Sequence, residues 1–156
     1  MSVKYKTGDD EQAHFITFSV VEWIDALTRN EYKDIITESL AYCIKEKGLR
    51  LHAWIIMPNH VHLIMSARRE FMISHILRDL KKFTSKQIYN AILANPKKSR
   101  KEWLICMFKR AGKRNSNNRD FQFSPPWVFL PISNVNILSV TNAPVWSPTN
   151  GFKQPF

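Results

Sequence analysis

The residues best suited to chemistry in this sequence are two histidines, His60 and His62, separated by one residue. They begin the apolar stretch HVHLIM, which follows the turn-forming dipeptide Pro58-Asn59. Side chains two apart on a β-strand share a face, so we predict that both imidazoles project from the same side of one strand. With a third ligand from elsewhere, two such nitrogens can hold a divalent metal. The metal would polarise a phosphodiester and stabilise the departing oxygen.

The histidine pair also has other interpretations. A histidine–x–histidine triplet arises by chance, and the two side chains would then be half-exposed residues near a turn. Two-histidine phosphoesterases carry two separate H-x-[ST] motifs, a pattern that is missing here because His62 and Ile64 stand two residues after His60 and His62. The remaining histidines stand singly, and we expect them to be structural: His14, His52 and His75.

The elements that must position the pair follow from hydrophobic periodicity. A β-branched and aromatic run predicts a first strand, and Thr28 with Glu31 fits a capping box for the helix that follows. A strand pair around Pro58-Asn59 predicts a β-hairpin. The predicted ranges are strands 14–21, 49–57 and 60–65 and helices 29–47, 73–94 and 99–111.

This order of elements predicts an α+β fold of the ferredoxin-like (RRM-like) type, an antiparallel sheet with helices packed on one face. The open face of such a sheet is suited to a nucleic acid strand. The fourth strand is expected from the chain after residue 112.

The predicted helix 73–94 has one cationic side. At 100° per residue, Tyr89 and Ser85 fall on that side, Lys81 flanks it, and an apolar stripe that includes Phe83 lies opposite. The net charge of +10 favours a polyanionic partner, and nucleic acid is the first candidate. A solvated lysine face is the other interpretation. The predicted DNA contacts are Arg78, Lys81, Lys82 and Lys86.

Composition also indicates the cellular compartment of the protein and the boundary of its folded domain. The two cysteines have no metal-like spacing, the N-terminus has no apolar signal core, and no apolar run approaches the ~20 residues of a membrane span. We therefore expect a cytoplasmic chain without a membrane partner. From residue 120 onward only Asp120 and Lys153 are charged, and six of the eight prolines fall there. We predict one domain over 1–112 and a divergent tail over 113–156.

Three stretches resemble a known family: HFITFSVVEWIDALTR, LHAWIIMPNHVHLIM and LRDLKKFTSKQI. They are similar to the REP-associated and insertion-sequence single-tyrosine transposases of the HUH endonuclease superfamily, whose bacterial members carry the signature W-x-x-M-P-N-H-V-H-L-I. The resemblance covers about residues 3–112.

The resemblance implies a small homodimer with a ferredoxin-like fold that binds single-stranded DNA hairpins. It implies Mg²⁺ or Mn²⁺ as cofactor, with His60 and His62 as ligands. It further implies a tyrosine on a later helix that cleaves one DNA strand and holds its 5′ end, and an Asn or Gln one turn later that completes the metal site.

The sequence departs from the family in its tyrosine motif. Family members carry a segment like Y-I-H-x-N-P-V after F-Q-F-W-Q, whereas this chain has FQF at 121–123 and no tyrosine after Tyr89. Tyr89 is the one candidate nucleophile, and a residue that covers a helix is its other interpretation. We interpret the tail as translation out of frame and predict a cleavage-deficient transposase. The alternative function is a non-catalytic nucleic-acid-binding module.

Overall fold

The computed structural model describes residues 10–96, 100–115, 120–125 and 128–131. Its four strands form one antiparallel sheet in the order β2-β3-β1-β4. This is the predicted α+β, ferredoxin-like arrangement, and it includes the fourth strand expected after residue 112. The elements are β1 His14–Ser19, a 3-10 turn Val21–Trp23, α1 Asn30–Glu46, β2 Leu49–Ile56, β3 His60–Ala67, α2 Ile73–Ala94, α3 Lys101–Lys113 and β4 Val128–Pro131.

Alternation along the two central strands divides the sheet into two faces. In β1 and in the first part of β3, every second side chain is buried and the residues between are half-buried. Ile16 and Phe18 of β1 join a hydrophobic core with residues of all three helices. Val61, Leu63 and Met65 of β3, which alternate with the histidines and Ile64, lie in the same core. The opposite side, which we call the open face, carries the residues between them.

The helix α2 buries a stripe of residues at helical spacing against this core, but two predicted orientations are wrong. Phe83, expected in the stripe, is 54% exposed. Tyr89, expected on the cationic side, is buried because Phe108 of α3 and Phe121 pack against its ring, whereas Lys82 and Lys86 stay exposed. The buried stripe consists of Ile73, Ile76, Leu77, Leu80, Thr84, Ile88 and Ile92.

The helix α1 begins one residue later than predicted, and the residue at its N-cap position is Arg29 and not Thr28. Arg29 makes no side-chain cap hydrogen bond. The Glu31 carboxylate accepts a hydrogen bond of 2.6 Å from Asn95 Nδ2 at the end of α2. The helix ends before Gly48, whose φ of +69° favours glycine.

The segment 120–125 joins α3 to β4 and packs on the domain. The backbone of Phe121 passes so close to Gly112 that a Cβ there would lie 2.7 Å from the Phe121 Cα. Gln122 N donates to Phe108 O at 2.9 Å, and Phe123 is buried in the core. Part of the predicted tail therefore completes the sheet and core. Residues 132–156, which make up most of that tail, lie outside the described residues, and the division at residue 112 stays a prediction.

None of the described helices combines the length and the apolar character that crossing a bilayer requires.

Candidate functional site

The two histidines lie next to each other on the open face, as predicted. Their ring centroids are 4.7 Å apart and the rings are inclined by 72°. Both residues are half-buried, so each imidazole is supported by the sheet and still reaches solvent. They are the first and third residues of β3. The strand follows directly on the hairpin turn, in which Met57 N donates to His60 O at 2.8 Å.

The ring of His60 is oriented by the preceding residue. The Asn59 amide donates through Nδ2 to Trp23 O at 3.3 Å, which turns its Oδ1 towards the imidazole. His60 Nδ1 lies 2.7 Å from that oxygen. Because an amide oxygen can only accept, the proton of the neutral ring is on Nδ1. The lone pair is therefore on Nε2, the tautomer that a metal ligand needs.

The ring of His62 is held from the neighbouring strand β1. Thr17 is its Cα partner in the sheet, and Thr17 Oγ1 shares a hydrogen bond of 2.7 Å with His62 Nδ1. Phe15 stacks on the imidazole with ring centroids 5.3 Å apart and an angle of 23°. Burial, and then the charge of a protonated His60, lower the pKa of His62 below its ordinary value. The lowered pKa favours the neutral form of the ring, and Nδ1 is the nitrogen that Thr17 engages.

The pair supplies two of the positions that a divalent metal requires. Both rings use Nδ1 for a neighbour, which leaves two Nε2 atoms on one side of one strand. Within the described ranges, no group of three or more histidine, cysteine, aspartate or glutamate side chains is placed to hold a metal. Two imidazole nitrogens are ligands of the kind that divalent transition metals accept, and water, phosphate oxygens or residues outside those ranges would have to fill the other positions.

Three residues that support the pair were not singled out by sequence reasoning. Asn59 was interpreted only as part of a turn. Thr17 could be identified only once the strand register was known, because it lies 45 residues from its histidine. Trp23, whose ring centroid is 5.4 Å from that of His60, follows the first strand in a region that carried no pattern.

The predicted DNA contacts do not share the open face with the histidines. Lys82 and Lys86 are exposed on the side of α2 opposite its buried stripe, and α2 packs on the other face of the sheet. Arg78 is exposed and pairs with Asp79 at 3.1 Å. Lys81 is half-buried, and its Nζ donates to Pro125 O at 2.6 Å. The structure therefore does not join these cations and the histidines in one groove.

The candidate nucleophile Tyr89 lies in the helical layer. Its ring stacks on Phe121 with centroids 4.0 Å apart and an angle of 7°, and it meets Phe108 edge-on at 6.3 Å. Burial, with a smaller effect of Asp120, raises its pKa above the ordinary value. These contacts match a core residue between α2 and α3 and not an ionised nucleophile beside the histidines.

Of the remaining histidines, His52 makes the most specific contact. It lies at a register irregularity of β2, and its Nε2 is 3.0 Å from Ser66 Oγ. Burial lowers its pKa, and Arg50 adds to this effect. His14 is buried on the helix-covered side of β1, and His75 is exposed near the start of α2.

A family model and solved structures are similar to this chain. The family described as IS200-like transposases matches residues 12–106. No curated protein matches. A solved structure of a candidate transposase from Deinococcus radiodurans R1 is 16% identical, with a TM-score of 0.50, and the match covers 81% of this chain and 82% of that one. A REP-associated tyrosine transposase, solved with a REP hairpin bound, is 17% identical with a TM-score of 0.47, over 80% of this chain and 82% of that one.

Proposed function

This chain belongs to the IS200-like transposase family, and on that premise we propose that it binds single-stranded hairpin DNA and a divalent metal, Mg²⁺ or Mn²⁺, for cleavage and joining of DNA strands in transposition. The observation that carries the proposal is the pair of oriented imidazoles. His60 and His62 each engage Nδ1 with a neighbouring side chain and leave Nε2 for a ligand.

The residues of the chain would act by positioning. His60 and His62 hold the metal, while Asn59 and Thr17 fix the ring orientations and the tautomer of His60. The bound metal would serve as a Lewis acid on a phosphodiester oxygen. The open face beside the pair would receive one strand of nucleic acid, a polyanion that the net charge of +10 attracts.

We further propose that the cations of α2 bind DNA at a distance from the histidines. Arg78, Lys82 and Lys86 are exposed and would contact phosphates of a DNA arm that passes around the edge of the domain. The proposals of a homodimer and of a cytoplasmic location rest on the family resemblance and on composition. Light scattering on purified protein tests the dimer.

The metal proposal is tested with the histidine variants. We expect His60→Ala and His62→Ala each to abolish Mn²⁺ binding in titrations followed by electron paramagnetic resonance, because one imidazole cannot replace two ligands. His75→Ala is the matched control, since this histidine is exposed on α2 and single. Unchanged Mn²⁺ affinity in both site variants, with circular dichroism as in wild type, would contradict the proposal.

The burial of Tyr89 favours a second candidate function, a nucleic-acid-binding module without cleavage. A tyrosine that stacks on Phe121 inside the helical layer is not placed to attack a phosphate at the histidine pair. Incubation with a labelled single-stranded DNA hairpin separates the two functions. A covalent adduct that survives SDS supports cleavage, and binding without an adduct supports the module.

If an adduct forms, Tyr89→Phe shows whether this residue is the nucleophile. From the position of Tyr89 we expect the adduct to persist in that variant. Loss of the adduct, with DNA affinity unchanged, would identify Tyr89 as the attacking residue after all.

A further inference from the structure

We infer that Trp23 is a stacking platform for a nucleobase of the DNA strand whose phosphate lies at the histidine pair. The inference rests on the proposed function and adds to it a specific base-binding residue. Trp23 is 61% exposed, the largest exposed fraction among the large hydrophobic residues that the structure describes. The ring centroid is 5.4 Å from that of His60 at an angle of 62°.

The backbone at this tryptophan has an unusual conformation. Glu22 and Trp23 have φ values of +54° and +53°, in the left-handed region that favours glycine. For other residues this conformation is unfavourable, and it persists where the surrounding structure imposes it. Two consecutive non-glycine residues in this region turn the tryptophan side chain outwards, away from the core in which Val21 and Ile24 are buried.

Contacts from three separate parts of the chain impose the turn. Arg114 at the end of α3 forms an ion pair of 3.0 Å with Glu22. Val21 N donates to Phe123 O at 2.9 Å, and Asn59 Nδ2 donates to Trp23 O at 3.3 Å. The Asn59 amide also orients His60. This one side chain therefore links the backbone of Trp23 to the imidazole of His60.

A nucleobase is the occupant that the aromatic and apolar side chains of this surface favour in a chain with a net charge of +10. Aromatic side chains bind single strands by stacking on bases, while cations bind the phosphates between them. The apolar surface continues on the other side of the pair at Ile55, which is 51% exposed and is the Cα partner of His62. An exposed indole, two imidazoles and an isoleucine thus follow one another across the open face of a protein with a charge of +10.

The test compares a strand with bases and a strand without them. We would measure Kd for oligo(dT) of roughly a dozen nucleotides, and for an abasic deoxyribose-phosphate strand of equal length, with and without Mn²⁺. Wild type should bind oligo(dT) more tightly, with quenching of tryptophan fluorescence. Trp23→Ala should bind oligo(dT) about five- to a hundredfold more weakly and the abasic strand as wild type does, and Trp23→Phe should retain most of the preference.

Trp54→Ala is the control, because Trp54 is also exposed on this sheet but its Cα partner Leu63 faces the helices. This variant should bind both strands as wild type does. The inference is overturned if Trp23→Ala weakens both strands equally, which indicates a structural role, or changes neither, as expected if Trp23 binds a protein partner. If wild type binds neither strand, the proposed function fails as well; unchanged Mn²⁺ binding in the histidine variants would refute the metal site alone.

Discussion

The side chains of Thr17 and Asn59 orient the rings of the histidine pair. A hydrogen bond to Nδ1 fixes the ring angle of a ligating histidine and raises the basicity of its other nitrogen. Thr17 provides this contact to His62 and Asn59 provides it to His60. The metal-binding property we propose therefore depends on a threonine of β1 as well as on β3.

The Thr17→Val variant tests this dependence. Valine keeps the shape of the side chain and removes the hydroxyl, so the His62 ring loses its orienting partner. We expect Mn²⁺ affinity to fall about ten- to a hundredfold, as is usual when such a partner is removed. Thr37→Val on α1 removes a hydroxyl that contacts only a backbone carbonyl there and serves as the control. Equal affinities of wild type and Thr17→Val would show that the hydroxyl does not orient the ring.

The register of the sheet explains why the sequence could predict the histidine pair but not the contact of His62 with Thr17. Alternation within β3 is a local property, so the shared face of His60 and His62 could be predicted from spacing alone. The contact with Thr17 depends on which residue of β1 lies opposite His62. No local pattern contains that information, since the two residues are distant in the chain.

Among the elements, the segment 120–125 has the widest structural role because it connects α2, α3 and the turn at Trp23. Phe121 stacks on Tyr89, Phe123 O accepts from Val21 N, and Pro125 O accepts from Lys81 Nζ. Helical periodicity assigned Tyr89 to the surface because it describes one helix by itself. The cover over this residue comes from α3 and from this segment, which local sequence does not indicate.

Gly112→Ala tests the packing of this segment on α3. Alanine in a helix interior is normally more stable than glycine by about 0.5–1 kcal/mol. Here the added Cβ would meet the Phe121 backbone at 2.7 Å, a group that cannot rotate away. We therefore expect a net loss of stability of about 1–3 kcal/mol in urea unfolding. A more stable variant would show that the segment does not cross α3 at this point.

Lys81, which binds the same segment through Pro125 O, makes the stability of the protein depend on pH. Burial lowers the pKa of its amine from 10.5 to about 8. Between about pH 8 and 10.5 the unfolded chain binds more protons than the folded one, so the free energy of unfolding rises with pH across that window. On acidification this gain in stability disappears as the pH falls to about 8. Urea unfolding should show this rise in wild type and in Lys82→Met, the exposed neighbour, and a smaller rise in Lys81→Met. Parallel curves for all three proteins would contradict the assignment.

At the scale of the whole molecule, the exposed lysines of α2 and the histidines occupy different sides of the described domain. The exposed lysines of α2 lie beyond the core, while the imidazoles lie on the open face. The net charge of +10 follows from the sequence, and this charge predicts nucleic acid as the partner. The position of these lysines relative to the histidines required the tertiary fold, because it depends on which face of the sheet the helices cover.

The salt dependence of DNA binding tests whether the α2 lysines contact phosphates. The logarithm of the binding constant falls with log salt by about 0.7 for each phosphate contact on a single strand. Replacement of Lys82 and Lys86 by glutamine should therefore reduce the slope by about 1.4 if both lysines bind DNA. Lys33 and Lys45 of α1, changed in the same way, are the control pair. A slope equal to that of wild type would exclude α2 from the DNA contact surface.

The ion pair between Glu22 and Arg114 joins residues 92 positions apart. During synthesis the ribosome releases Glu22 long before Arg114 and Phe123, and both of these late residues brace the bend that presents Trp23. A nascent chain that had formed only its β2–β3 hairpin would thus carry the paired imidazoles without the contacts that brace Trp23. The order in which the polypeptide emerges therefore delays completion of the open face until nearly the whole of its sheet and helices has left the ribosome.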